Sequence, residues 1–412
     1  MNIKVLKNRN IIFYVLGAGT SSLGDVVSGL AFLFLAYDLT GSSIHTTGIA
    51  ISQAIPYLLF GLVGGVFADW VNKKSLLILI DFVRVPVIFS IVLSYQFGVL
   101  DYWYLIVVSF LIQTLGCFFN PAHRAILPII TKEDERTTTN SLLDTVTRGV
   151  QVLSPVVVVG FMHTIGEIHF FTLDAITYLI SAFFISKIQI KEDNKSLTNS
   201  NKISHIFPSI KEFYIWLKSE VSIKMLFIVT FVMVFFNTWV WQVGLLLQII
   251  ETTPDGEEWY SILLGWYGVA VVITNILIPF LWKEMTIKIY FLGSIIWGSG
   301  IVILGFSYHL PLYFLGVFIT AMGVPIASLS RVYLLQKLLP NDKLGRGFSF
   351  NAVLLYFSNV VSLGLFGYLS SFISTQVLFK VCGGLMLLFT GLHFFSFLRK
   401  DPGVSPYRRL NS

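Results

Sequence analysis

The feature that most constrains this chain is a series of apolar runs, each as long as a bilayer is thick. A helix needs about 20 mostly apolar residues to cross the hydrocarbon core. Breaks at Gly, Pro and polar clusters divide the sequence into runs near 11–37, 46–68, 75–95, 102–122, 140–163 and 169–188. After a polar stretch the runs resume near 222–250, 258–282, 286–307, 310–336, 347–371 and 375–398. The pattern predicts an all-α membrane protein with twelve transmembrane helices.

The loops test that count. Taken outward from an intracellular N-terminus, the alternate loops 38–46, 96–101, 164–168, 251–257, 308–309 and 372–374 hold no Lys or Arg. The opposite set holds Lys73 and Lys74, then Arg124, Lys132 and Arg136, seven lysines from Lys187 to Lys224, Lys283 and Lys288, and Lys337, Lys343 and Arg346. Both chain ends, with Lys4, Lys7, Arg9, Arg399, Lys400, Arg408 and Arg409, join that second set. A wrong span count would scramble the alternation. Basic loops face the cytoplasm, so both termini are expected there, in a multi-pass plasma (inner) membrane protein.

Composition agrees. The 412 residues are 55% hydrophobic and 12% charged, against about 25% charged in ordinary globular domains. Too few charges are present to cover a water-soluble surface. The net charge of +6 is explained by loops that orient the helices, so no nucleic-acid role is expected. Cys117 and Cys382 lie inside apolar runs and the seven histidines show no HxxH spacing, so neither a metal nor a cofactor is expected. Lys4, Lys7 and Arg9 ahead of an apolar run resemble a signal peptide. The run is too long for one and lacks a small-residue cleavage site, so a retained first helix is expected.

One long basic connection splits the spans into two groups of six. The sequence expectation is a first bundle over 1–189, a linker over 190–221, a second bundle over 222–400 and a tail over 401–412. The linker's second part, with Ile206, Phe207, Ile210, Phe213, Tyr214 and Leu217 at helical spacing, reads as an amphipathic helix on the inner leaflet. The stretch Ile129 to Arg136 after the fourth span is matched by Leu338 to Arg346 after the tenth, half the chain away. Such parallel repeats predict two pseudo-symmetric bundles with substrate bound between them.

A few charges remain that topology does not explain. Arg84, Arg148, Arg331 and Lys380, with Asp25, Asp81 and Asp144, lie within spans. Each costs about 2.5–3.5 kcal/mol at a lipid-exposed helix centre, so they should face the bundle or a wet cavity. Asp81 and Arg84 are spaced i,i+3, and Asp144 and Arg148 i,i+4, so each pair shares a helix face. They either neutralise themselves or serve as switchable interhelical pairs. Asp25 stands about 15 residues into the first span with no base within a turn. It is a candidate proton carrier, with Asp144 a second. The alternative for Asp25 is bonding to Ser21, Ser22 and Ser28, or capping a helix broken at Gly24. Gln53, Gln113, Asn237, Trp241, Gln242, Trp266, Asn351 and Tyr356 are candidates for a substrate cavity that mixes aromatic and uncharged polar groups. Each is more commonly a packing contact when taken singly.

Between the second and third spans stands Gly64-Gly65-Val66-Phe67-Ala68-Asp69-Trp70-Val71-Asn72-Lys73-Lys74. It resembles the G-x-L-A-D-R-x-G-R-K loop of the major facilitator superfamily at Gly65, Ala68, Asp69, Lys73 and Lys74. Trp70 and Asn72 depart from its usual Arg and Gly. Ser21 to Asp25, Asp81-Phe82-Val83-Arg84, Phe119 to Ala122 with Asn140-Ser141, and Asp174 to Tyr178 resemble the branch of macrolide-efflux proteins and the enterobactin exporter. Pro340 to Arg346 is also typical of the superfamily. Two departures stand out: Gln113 replaces a fourth-span Arg, and the fifth-span antiporter pattern survives only as Gly149, Ser154-Pro155 and Gly160.

The resemblance implies the major facilitator fold and a secondary transporter rather than an enzyme, working as a monomer in a bacterial membrane. It would exchange protons for an amphiphilic compound such as a macrolide-like drug, a siderophore or a secreted metabolite. Gly65, Asp69, Lys73, Lys74, Asp81, Arg84, Arg148 and Arg346 would gate it. Uptake symport or lysolipid transport on the same fold is the rival expectation.

Overall fold

In the computed structural model, helices account for nearly every described residue; these are 5, 7–41, 43–166, 168–190, 205–253 and 256–400. Without water to bond them, backbone amides in hydrocarbon must be satisfied within their own segment, which favours helices. The first six are α1 (Arg9–Thr40), α2 (Ser43–Trp70), α3 (Lys73–Gln96), α4 (Tyr102–Ile130), α5 (Glu133–Ile165) and α6 (His169–Lys187). A short α7 (Ile206–Ser219) follows. Then come α8 (Val221–Trp239), α9 (Leu245–Thr252), α10 (Gly256–Leu281), α11 (Ile287–Gly305), α12 (Leu310–Leu338), α13 (Leu344–Leu369) and α14 (Thr375–Lys400).

A π-helical turn, Val240–Gly244, joins α8 to α9, so Val221–Thr252 runs as one 32-residue helix. Among the described residues, 11 helices are long and apolar enough to cross a membrane. The twelfth of comparable length is α5, whose 33 residues open on Glu133, Asp134 and Glu135. The polar stretch 191–202 and the tail 401–412 lie outside the described residues.

Helix starts are fixed by local chemistry. The Asn72 side chain accepts from Ser75 N–H (3.0 Å) and opens α3. Asp101 does the same for α4 through Tyr104 N–H (2.7 Å). Glu135 reaches back to Lys132 N–H (3.0 Å) at the start of α5. Each satisfies an amide that the helix leaves unbonded. Asn72 thus supplies a cap where the superfamily loop commonly has Gly.

By packing, the chain falls into two compact units. The first holds residues 1–219 with 275–284 and 332–356, which are the end of α10, the end of α12 and the start of α13. Within it α1 lies on α6 and α5, α2 on α4, and α3 on both α4 and α6. Gly64 sits directly against the Cys117 backbone, which is why α2 and α4 pack so closely. One apolar core gathers Val27, Phe32, Ile88, Ile112 and Phe171. Another gathers Tyr14, Leu77, Ile126, Leu143 and Ile185 towards the basic loops.

The second unit holds residues 220–274, 285–331 and 357–412. In it α14 lies on α11 and α8. Gly293 meets the Ala327 backbone and Gly323 the Trp297 backbone, so α11 and α12 touch main chain to main chain. Trp239, fully buried, sits between Phe366 and Phe379.

Candidate functional site

Two groups of polar contacts stand out in the first unit. The first is a clasp at the end that bears the basic loops. Asp69 ends α2 with its side chain 2% exposed. One carboxylate oxygen accepts from Gly345 N–H. The other accepts from Arg346 N–H (3.1 Å) and Arg346 Nε (3.0 Å). Gly345 and Arg346 lie in the first turn of α13, so an anion meets the unbonded amides and positive end of a helix. The guanidinium adds a charge-assisted bond. Gly65 and Gly345 are in mutual contact, and a side chain on either would hold the elements apart. Arg346 also donates to the carbonyls of Asp342 (2.7 Å) and Ser209 (3.2 Å).

Around this clasp α5 meets the ends of α10 and α12. Lys337 pairs with Glu133 (2.7 Å) and Glu284 (2.8 Å). Asn140 donates to Gln336 (2.7 Å), and Ser141 donates to the Asn275 carbonyl. Asp144 accepts from Arg148 (2.6 Å) and from Asn275 (2.7 Å). The i,i+4 pair is therefore formed on one helix and tied to a second. Lys73 and Lys74 open α3 beside Asn72.

The second group lies inside the apolar helices. Arg84 of α3 is buried, its guanidinium 4.9 Å from the Phe119 ring and 5.1 Å from the Tyr178 ring. Asp81 stands 3.8 Å away; its two oxygens accept no hydrogen bond from the described residues. Tyr178 of α6 donates to Asp25 of α1 (2.6 Å). One turn before it lies Asp174, fully buried, with Oδ1 3.3 Å from the Thr177 hydroxyl and Oδ2 without a hydrogen bond among the described residues. Gly24 lets α1 lie against Asp174 and Thr177. Asp81 thus stands beside the guanidinium, whereas Asp25, an exposed residue of α1, is linked to that neighbourhood through Tyr178. From Arg84 the polar tract continues to Tyr57, which bonds Asn120 and stacks on Tyr356 at 4.1 Å.

A protein family described as transmembrane secretion effector, a branch of the major facilitator superfamily, matches the chain over residues 8–402. The chain belongs to that family. Among curated relatives of this secretion effector chain is macrolide efflux protein A of Streptococcus pyogenes, 22% identical over 188 residues. That match spans 44% of this chain and 46% of the streptococcal protein, so the chain aligns with about half the length of that relative. Solved structures of the same fold include the fucose:proton symporter of E. coli (TM-score 0.73, 13% identity, 95% of this chain and 98% of that one). The human organic anion transporter MFSD10 superposes with TM-score 0.75 at 10% identity, over 93% and 99% of the two chains. At these identities the likeness establishes the major facilitator fold and nothing finer.

The structure separates the other residues that the sequence singled out in this secretion effector chain. The Asp25 carboxylate bonds Tyr178, whereas Ser28 donates to the Asp25 main-chain carbonyl (3.5 Å). Helix α1 runs unbroken through Gly24. Among the described residues the Asp25 carboxylate is bonded by Tyr178, with Ser28 on its main chain. Asn237 accepts from Trp297 (2.8 Å) as a packing bond. Trp241 lies on Tyr267 (4.4 Å) and, with exposed Gln242, is displayed by the π-helical turn. Trp266 is exposed beside Phe314 and Phe318. Gln53 and Gln113 are half-buried on α2 and α4, and Gln113 approaches Gly116 near Arg84. Asn351 is buried with its carbonyl unbonded. Lys380 lies over the Phe306 ring (4.4 Å), and Arg331 neighbours Tyr290.

Sequence reasoning missed Asp174 as an intramembrane acid, although its i,i+4 spacing from Tyr178 was available as a signal. It also missed Lys337, Glu133 and Glu284, which read as ordinary loop charges.

Proposed function

We propose that this chain is a secondary active exporter that moves an amphiphilic compound by alternating access, driven by proton entry. The observation that carries the reading is the pair of buried acids Asp81 and Asp174 near the guanidinium of Arg84, with the exposed Asp25 joined to them through Tyr178. Buried charge needs a partner, and two buried carboxylates with one fixed base leave room for a mobile proton. Tyr178 is placed to relay it between Asp25 and the Arg84 neighbourhood. The clasp at Asp69 supports the cycle, because noncovalent bonds between elements far apart in sequence can break and reform as residues 1–189 rock against 222–400. Likeness to a macrolide efflux protein supports export and an amphiphilic cargo. In this reading the basic loops and both termini are cytoplasmic and the working unit is a monomer.

The test uses inside-out vesicles carrying the full chain, with macrolides, siderophores and lysolipids offered under an imposed pH gradient. Export coupled to protons predicts accumulation in an acidified lumen; release from the lumen would instead establish uptake. Asp25→Asn should abolish the gradient dependence while substrate binding survives. Undiminished pH-dependent transport by that variant removes Asp25 from the mechanism.

A further inference from the structure

Helix α7 presents three faces. Ile206, Phe213 and Leu217 are buried in the first unit. Ser209, Glu212 and Trp216 turn to the clasp: the Ser209 carbonyl accepts from Arg346, Glu212 pairs with Lys343 (3.2 Å), and Lys343 lies 6.0 Å from the Trp216 ring. The third face, Phe207, Lys211, Tyr214 and Lys218, repeats at i, i+4, i+7 and i+11 and faces outward. Phe207 is 79% and Tyr214 52% exposed. Lys218 folds over the Tyr214 ring at 4.7 Å, while Lys211 makes no ion pair or hydrogen bond among the described residues.

Beside this third face is a groove of about 270 Å³, lined by Leu62 of α2, Ile210 and Phe213 of α7 and Phe350 of α13, with Lys211 at its rim. Leu62 lies eight residues before the end of α2, about 12 Å along the helix axis. The apolar lining thus continues into spans that cross the hydrocarbon. An opening at that depth meets acyl chains before any other apolar partner. Glu212 is turned to Lys343 and Arg346, so the charge presented at the rim is positive.

We propose that this groove holds one anionic phospholipid, with its phosphate on Lys211 and Lys218 and an acyl chain against Leu62, Ile210 and Phe350. Aromatic and basic side chains on one helical stripe suit the headgroup level, and juxtamembrane lysines favour anionic over zwitterionic lipid. The phosphate is assigned to the two lysines and not to Arg346, each of whose three nitrogens already donates, to Asp69, Ser209 and Asp342. The inference rests on the proposed function only in assigning this end to the inner leaflet.

Native mass spectrometry of the purified full chain, titrated with phosphatidylglycerol and phosphatidylcholine of equal chain length, tests it. Phosphatidylglycerol should be retained at lower concentration. Lys211→Gln with Lys218→Gln should weaken its retention about fivefold for each lysine removed, and Lys211→Arg should keep it. Both lysines are exposed, so an unchanged unfolding temperature of the lipid-free variant will exclude misfolding. Equal retention of the two lipids, or wild-type phosphatidylglycerol retention by the double variant, would overturn the site. The readout does not involve transport, so it stands or falls separately from proton coupling.

Discussion

At the scale of the residue, Asp69 serves two kinds of donor with one carboxylate, the backbone amides of Gly345 and Arg346 and the Arg346 guanidinium. Hydrogen bonds to charged groups are each worth about 1.5–3 kcal/mol. Asp69→Asn keeps one acceptor and loses the charge, so the clasp should weaken by about 2 kcal/mol, a shift of about thirtyfold towards the open form. Spin labels at exposed Lys132 and Asn341 would read this as a second, longer distance. The same labels test the pH response. A hydrogen bond from Lys337 holds the Glu133 carboxyl below its ordinary value of 4.5. Its contribution is therefore full above that value and lost as pH falls further. Burial disfavours the charged Lys343, yet Asp342 and Glu212 outweigh it and raise its pKa above 10.5, so that contact is lost only in strong alkali. Neither of these flanking contacts should change the label distance between about pH 5 and 9. A change within that window would place the proton-sensitive step at the clasp instead of among the buried acids. Asp69 was legible from its loop and Arg346 from its own motif. The partner of Asp25 was not, because Tyr178 lies 153 positions away and helical periodicity does not fix which faces meet.

At the scale of the element, two glycines with the same steric reading have different consequences. A methyl at Gly64 would strike the Cys117 backbone on α4, while one at Gly345 would strike the Gly65 carbonyl and Asp69. Both contacts lie in the first unit, the α2–α4 one along two packed helices and the Gly345 one at a helix start. Gly64→Ala should therefore cost about 1–3 kcal/mol, seen as a lowered unfolding temperature in detergent. Gly345→Ala should leave that temperature nearly unchanged and lengthen the Lys132–Asn341 distance. Helix existence was readable from apolar run length, and Asp101 lay just outside the fourth run, where it caps α4. The π-helical turn at Val240–Gly244 was not readable, since one inserted residue per turn leaves no mark on an apolar run. The split of α7 into a buried and an outward apolar face was equally hidden, because the sequence gives the helix and not what packs on it.

At the scale of the whole molecule, the alternation of basic loops yields an orientation that labelling can check. Cys117 and Cys382 are buried, so a membrane-impermeant maleimide should report single introduced cysteines. Replacements at Phe97 and Tyr308 should react in intact cells, and those at Lys132 and Asn341 only after permeabilisation. The opposite pattern would invert the topology. The Asp69 clasp also has a direction. Two of the three donors to Asp69 belong to the main chain of a helix start, which no substitution can turn into acceptors. Exchanging Asp69 with Arg346 would set a cation against those amides, so the fastening has a polarity that side-chain replacement can erase but not transpose. The two elements so fastened are thereby made unequal, α2 offering an anion and α13 the beginning of a helix.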